Sequence, residues 1–572
     1  MARTTSALPE RAFAGLRERP EISVLIVGGG VNGAGLLREL ALQGVDALLV
    51  EKSDFCAGAS AAATRVIHGG LRYLENAEFR LVRESLRERN LLLRNAPHCV
   101  KPLATTIPIF DWTSGLLSAI RNLLGFAARP GSRGGLLIKA GLAWYDFLAG
   151  RDSPLPRHRF RRRREALRLR PALNPGIVRT ATYYDARVIC AERLCLELML
   201  DAESMCSGAR ALNYVRVVEA AGPAVVLRDE ISGNTCEVRP RVVANASGAW
   251  IDCTNRGMKR DSGFIGGTKG SHVVLDHPEL LEATRGEMIY FVNRDGRICI
   301  FYPFGDKIIA GATDIPTGRP EEVCDAEEVA YILDAMRQAF PGIRVDSSQV
   351  VFRFCGVRPL PRSQALTPGQ VSRDHSCPVL EPANGIEFPV YSLVGGKWTT
   401  FRAFAEQVAG AILQRLGRPR VGRSEHLEIG GGKGYPPPGE RRDNWLAALQ
   451  KRTGLARERL DVLLERYGTR AAEIAGYLGA GPDQALENHR GYSRREIEFM
   501  ALQERVAHLD DIVLRRTLIG LLGETTRRLL EELAGIAATV LDWPPEKAAG
   551  EVERTVRILQ EVHGVTPELL GR

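Results

Sequence analysis

At 572 residues the chain is too long for one ordinary core, and two to four domains are expected. Its 45% apolar share is that of a globular protein, and no apolar run approaches the length of about 18 residues that a membrane-spanning helix needs. The formal net charge of +9 fits an anionic substrate, an acidic membrane surface or nucleic acid, while eleven cysteines without a C-x-x-C pair argue against a disulfide framework or a zinc site and for a cytosolic compartment.

Residues 1–21 lack an apolar signal core and are expected to be disordered. "ISVLIV", Ile22 to Val27, predicts a buried strand, which leads through Gly28-Gly29-Gly30-Val31-Asn32-Gly33 into a helix carrying Leu36, Leu40 and Ala41. "DALLVEK" predicts a second strand ending at Glu51, which completes a β-α-β unit. A helix is predicted over Glu78 to Asn95, and Asp111 to Gly150 holds an apolar stripe at Leu116, Ile120, Leu123, Leu124 and Ala127. The basic block Arg157 to Arg164 reads as a solvated loop, and with no RNA-binding signature or zinc-finger spacing beside it, nucleic acid is not expected as a partner. Alternation from Ala211 to Arg241 predicts a hairpin turning at "ISGN". Strand-like runs ("SHVVL", "RICIFYPF", "KIIAGAT", "QVVFRFCGV") and a helix over Asp325 to Ala339 predict a separate sheet domain. After the Pro436 to Pro438 run the composition turns helical, with a capping box predicted at Ser493 to Glu496.

The glycine motif has the context that gives it meaning: a strand before it, a helix after it, and an acidic residue ending the next strand. Gly28 permits the tight turn, Gly30 lets the backbone approach a pyrophosphate, and Gly33 allows close helix packing. Glu51 at the ribose position favours NAD or FAD over NADP.

"VGGGVNGAG", "TRVIHGGLRYLE", "FRLVRESLRERNLLLRNAPH", "TKGSH", "GVRPL", "SRDH", "GGKWTT" and "HLDDIVLRRT" occur in this order and together resemble the FAD-dependent glycerol-3-phosphate dehydrogenases and their oxidase relatives. The resemblance runs from about Ile22 to beyond residue 540. It implies an α/β fold: a Rossmann-like FAD-binding domain of the D-amino-acid-oxidase/glutathione-reductase type over 22–262 and 376–434, with 111–150 as an amphipathic insertion. An antiparallel-sheet cap over 263–375 and a C-terminal α-helical domain over 435–572 would follow.

The resemblance further implies FAD without a metal, and oxidation of glycerol 3-phosphate at C2. The backbone at Gly69 and Gly70 would lie against flavin and substrate. Cofactor contacts carried over by motif, beyond Gly28, Gly30, Asn32, Gly33 and Glu51, are Lys52, Ser60, Thr64, His68, Val215, Val217, Ala246, Gly248, Trp250, Gly396, Lys397 and Thr399. Arg72, Arg358 and Arg373 match substrate-pocket arginines in the family pattern, where guanidinium forks suit phosphate oxygens, and the resemblance implies Lys269 and Lys397 as further substrate cations. His68 and His272 are the candidate bases, and Arg358 and Lys397 would stabilise charge during the reaction. Two departures from the family pattern stand out: Ala61 to Ala63 replace hydroxyl-bearing residues, and "ASGAW" lacks a proline.

The electron acceptor expected is a membrane quinone, reached by peripheral attachment to the cytoplasmic membrane through the basic, aromatic-bearing insertion, with oxygen as the alternative. A homodimer is expected. Rival readings are a related FAD oxidase of an amine or 2-hydroxy acid, and a flavin-binding protein without turnover.

Overall fold

In the computed structural model, the described residues are 8–71, 73, 78–113, 134–150, 153–293, 295–363 and 373–571, with no side chains described for 8–12. Arg72 and the apolar stripe at 116–127 lie outside them.

The first sheet grows from the predicted β-α-β unit. Glu21–Val27 pairs in parallel with Ala47–Val50 on one side and Thr235–Asn245 on the other, and Val390–Ser392 extends the sheet in parallel. All four residues of Ala47–Val50 are buried, as expected of a strand covered on both faces. The helix Val31–Leu42 packs against Ala191–Met205 and Phe401–Leu416. The hairpin region consists of Val215–Ala221, Ala224–Asp229 and Thr235–Asn245.

The N-terminus differs from expectation. Leu8–Glu18 is helical, because Phe13 and Leu16 are buried against Ile22, Val225 and Val238 instead of facing solvent.

The second sheet has ten strands among the described residues and draws on more than the 263–375 segment. Val66–Ile67, Val100–Ile109, Arg159–Arg162 and Arg179–Val188 all join it, the first step between the two groups being the parallel pair Met288–Val292 with Val100–Ile109. The cap sheet is therefore mixed and not purely antiparallel. The basic block contributes a strand on Arg179–Val188, followed by a helix over Arg163–Leu169.

Thr268–Leu275 pairs with Val350–Arg358, His272 opposite Phe354 and Thr268 opposite Arg358. Side chains alternate between faces along a strand. Val273 and Leu275 accordingly pack with Ile332, Leu333 and Met336 of the helix Ala326–Ala339. Val274, Phe352 and Phe354 face the other way and merge with Leu464, Met500 and Leu530 of the helical domain in one apolar cluster.

In that domain Arg494–Gln503 starts where expected, but the capping box does not form. Arg459 takes the Ser493 hydroxyl, while the Glu496 carboxylate is shared by Arg459, Arg466 and Tyr467.

Candidate active site

The N-terminus of Val31–Leu42 opens on a cavity of about 490 Å³. Gly28 and Gly33 make the turn tight: a Cβ on Gly33 would lie 2.0 Å from the Gly28 carbonyl oxygen, and Gly28 has a φ of +115°. Gly28, Gly30 and Asn32 line one end of the cavity, with Ser60 accepting the Val31 N–H at 3.0 Å. Glu51, Lys52, Val215 and Val217 line another part, Ala246, Gly248 and Trp250 a third, and Gly396 and Lys397 also border it. Lys52 lies 4.2 Å above the Trp250 ring and pairs with Glu321 from the cap at 3.0 Å, so the two domains meet at this rim.

The cavity suits a dinucleotide. Gly30 at the helix N-cap has no side chain to cap the turn, the Asn32 Oδ1 is buried without a partner among the described residues, and Glu51 accepts N–H groups from Gly29 at 2.7 Å and Ser53 at 3.0 Å. Burial pushes the Glu51 carboxyl up against those two donors, so further hydroxyl donors from a ribose would stabilise its charge.

Beyond the cavity, cations and imidazoles converge. Arg358 donates to Asp314 Oδ1 and to the Thr313 carbonyl, each at 3.2 Å, and Arg373 reaches the other Asp314 oxygen at 3.3 Å. One carboxylate thus holds two guanidinium groups. Lys397 donates to Ser85 Oγ at 2.8 Å and stands 4.5 Å over the Tyr73 ring. Burial, with Arg373 assisting, pushes Lys397 down to about 7, against the pull of Glu84 and Asp374. Burial likewise pushes His68 down to about 3, helped by the charges of Lys397, Arg373 and Arg89. His272, also pushed down to about 3 by burial and by Arg358, stacks on Phe354 at 4.9 Å. Neither His272 ring nitrogen has a hydrogen-bond partner among the described residues, and the same holds for the buried Thr268 hydroxyl oxygen.

Lys269 is not part of this group. It sits on the opposite face of its strand from Thr268 and His272, where its ammonium pairs with Glu328 at 2.6 Å and Asp325 at 3.2 Å.

Gly33, Thr64, His68, Gly69, Gly70 and Thr399 do not line the cavity. Thr64 presents its carbonyl to the Tyr302 hydroxyl, and Thr399 Oγ1 accepts the His68 N–H at 3.2 Å. The glycine pair has its own packing reason. A Cβ on Gly69 would lie 2.4 Å from both Leu86 and the Tyr145 hydroxyl, and Gly70, at a φ of +79°, has the Tyr73 ring where a Cβ would go. The Gly69 N–H is held by Tyr145 at 2.9 Å and Asp185 at 3.1 Å, and Arg89 reaches the same Asp185 oxygen at 2.8 Å. The alanines that replace hydroxyls pack in apolar surroundings, Ala61 and Ala63 against the first-sheet core and Ala62 against the cluster under the helical domain.

Asp314, Tyr73, Ser85 and the Tyr145–Asp185–Arg89 group are not among the site residues the sequence predicts. Tyr73 sits inside the quoted "LRYLE", but Asp314 and Asp185 carry no local signal. Three possible metal ligands, His98, Cys99 and Glu197, also lie close together. There His98 and Glu197 bond to each other at 2.8 Å and Glu197 accepts the Gly431 N–H, so these groups serve the packing of a glycine turn.

A parallel core of strands carrying a glycine turn, with a cap sheet beside its cavity, defines a dinucleotide-binding fold. Residues 23–384 match the model of the FAD dependent oxidoreductase family, and 423–548 match that of the C-terminal domain of alpha-glycerophosphate oxidase. A glycerol-3-phosphate dehydrogenase of Synechocystis sp. is 34% identical, over 94% of this chain and 97% of the relative. Glycerol-3-phosphate dehydrogenase 2 of Mycobacterium tuberculosis is 30% identical, over 96% and 89%. The solved glycerol-3-phosphate dehydrogenase from Bacillus halodurans, complexed with FAD, superposes with a TM-score of 0.74 at 21% identity, covering 99% of each chain. The chain belongs to the FAD-dependent oxidoreductase family, in its glycerol-3-phosphate dehydrogenase branch.

Proposed function

We propose that the chain oxidises sn-glycerol 3-phosphate to dihydroxyacetone phosphate. The observation that carries this reading is the pair Arg358 and Arg373 on one shared carboxylate, beside the buried imidazole of His272, the half-buried imidazole of His68 and Lys397, next to the dinucleotide cavity. FAD, held along Gly28, Gly30, Asn32 and Glu51, supplies a two-electron acceptor when bound. Arg358 and Arg373 bind the dianionic phosphate, which offers both of them a second anion besides Asp314. An unpartnered ring nitrogen of His272 accepts the proton leaving the C2 hydroxyl, and the nearby dianion raises the basicity of that imidazole. Lys397, charged below about pH 7 in the free protein, steadies negative charge beside it.

The test is an anaerobic titration of the purified flavoprotein. Glycerol 3-phosphate should bleach the oxidised-flavin absorbance, while glycerol, 2-hydroxyglutarate and sarcosine should not. Bleaching by one of the latter compounds, with none by glycerol 3-phosphate, overturns the assignment.

We infer a quinone in a membrane surface as the electron acceptor. No helix among the described residues is long and apolar enough to cross a membrane. Supporting a peripheral contact, the helix Gly135–Ala149 exposes Leu136, Trp144 and Phe147, the last 71% exposed, beside the exposed Phe79. Lys139 on the same helix adds positive charge. Trp144→Glu with Phe147→Glu should abolish sedimentation with anionic vesicles and quinone turnover together; retention of both refutes the contact.

A further inference from the structure

The run "HLDDIVLRRT" has no part in the chemistry above, yet it reaches back to the cofactor domain. Asp54, three residues beyond Glu51, is 0% exposed. Its carboxylate receives Arg516 Nη1 at 2.7 Å and Nη2 at 2.9 Å, Arg515 Nε at 2.6 Å and Asn213 Nδ2 at 2.9 Å. Consecutive residues of an α-helix point about 100° apart, and two arginines in a row would not normally share one carboxylate. Here Ile512–Arg516 is a π-helical turn, closed by the Thr517 N–H on the Ile512 carbonyl at 3.0 Å. From this turn both guanidinium groups reach Asp54. Burial works to raise the Asp54 carboxyl, but Arg516 and Arg515 outweigh it and hold it below the usual carboxylate range.

The grip extends toward the cavity through a chain of hydrogen bonds. Arg515 also holds Asp510 and Asp511, each at 2.7 Å, and Asp511 accepts the Tyr214 hydroxyl at 2.6 Å. The Tyr214 N–H donates to the Ser53 carbonyl at 2.9 Å, and the Val215 N–H to the Glu51 carbonyl at 2.7 Å. On its other side the Cys56 N–H donates to the Gly29 carbonyl at 2.9 Å, and the Glu51 carboxylate accepts the Gly29 N–H. Residues 51–56 are thus fixed between the glycine turn and a domain more than 450 residues away in sequence.

We propose that Arg515 and Arg516 are positioning residues for the adenosine end of FAD. The helical domain acts through Asp54 as a latch on the Glu51 loop and so sets how tightly the cofactor is retained. The inference rests on FAD occupying the cavity with its ribose at Glu51.

The experiment measures FAD affinity of the full chain by fluorescence of released flavin, with the thermal midpoint recorded in parallel. Arg516→Met and Asp54→Asn should raise the FAD dissociation constant about 10- to 100-fold, and excess FAD should restore turnover. Arg516→Lys, which keeps the charge but loses the fork, should fall between. Tyr214→Phe removes one hydroxyl and gives a milder variant should the others fold poorly, with a rise of about 2- to 5-fold expected. Arg193→Lys is the control: Arg193 pairs with Glu504 at 2.8 and 2.7 Å across the same domain boundary, equally buried, without touching the loop, and Glu504 meets Arg516 only through its backbone carbonyl at 2.9 Å, which the substitution leaves in place. It should lower the thermal midpoint and leave FAD affinity unchanged. If Arg516→Met and Arg193→Lys lower the midpoint alike and FAD affinity is unmoved in both, or weakened equally in both, the latch is refuted and the network only joins domains. A wild-type protein that takes up no FAD would overturn the cavity assignment itself.

Discussion

Arg358→Met separates substrate binding from folding. In the free protein Arg358 is held by two bonds of 3.2 Å, and burial pushes its guanidinium down to about 10 from the ordinary 12.5 despite Asp314. At about 1.4 kcal/mol per unit, and discounted for the 28% of the side chain that stays accessible, its charge costs the ligand-free protein about 2 kcal/mol. Removing it leaves Asp314 paired with Arg373, so the thermal midpoint should hold or rise. With glycerol 3-phosphate the same change deletes two charge-assisted bonds to phosphate, about 3–4 kcal/mol, or roughly 100- to 1000-fold in kcat/KM, mostly as KM. Steady-state kinetics with glycerol 3-phosphate and a thermal melt are the assays. A KM for glycerol 3-phosphate within about threefold of wild type, or a midpoint that drops as for a broken core ion pair, refutes the reasoning.

The remaining expectations concern groups with more local roles. His272 is held neutral with a folded value of about 3 against an ordinary 6.5, so its stabilising effect is full above 6.5 and is lost as pH falls toward 3; denaturant melts from pH 7 to 5 should show His272→Phe losing less stability than wild type, and equal slopes would place that imidazole in contact with water. Lys269→Met should lower stability by about 2–4 kcal/mol, because Glu328 is left buried without its cation, while the KM for glycerol 3-phosphate stays put; a raised KM would return Lys269 to the substrate site. Gly69→Ala should cost about 1–3 kcal/mol through overpacking on Leu86 and Tyr145, and adding Leu86→Ala should recover part of the loss if that packing is the cause.

The sequence by itself determined the β-α-β unit, the glycine turn, Glu51 and the helix expected over Asp325 to Ala339, since each rests on turn chemistry or periodicity within about 20 residues. The family resemblance added Arg358, Arg373, His68, His272 and Lys397, which the fold brings together. Tertiary structure alone decided how those residues are used. Lys269 and His272 lie three apart on one strand and so face opposite layers, but only the packing of Ala326–Ala339 against one face tells which side Lys269 serves. Asp314 becomes the joint of two arginines, and Val100–Ile109 and Arg179–Val188 become cap strands, through pairings over long chain separations. Asp54 finds Arg516 across 462 residues. Such contacts are chosen by which buried faces and charges meet when the domains close, and no local pattern in the chain records that choice.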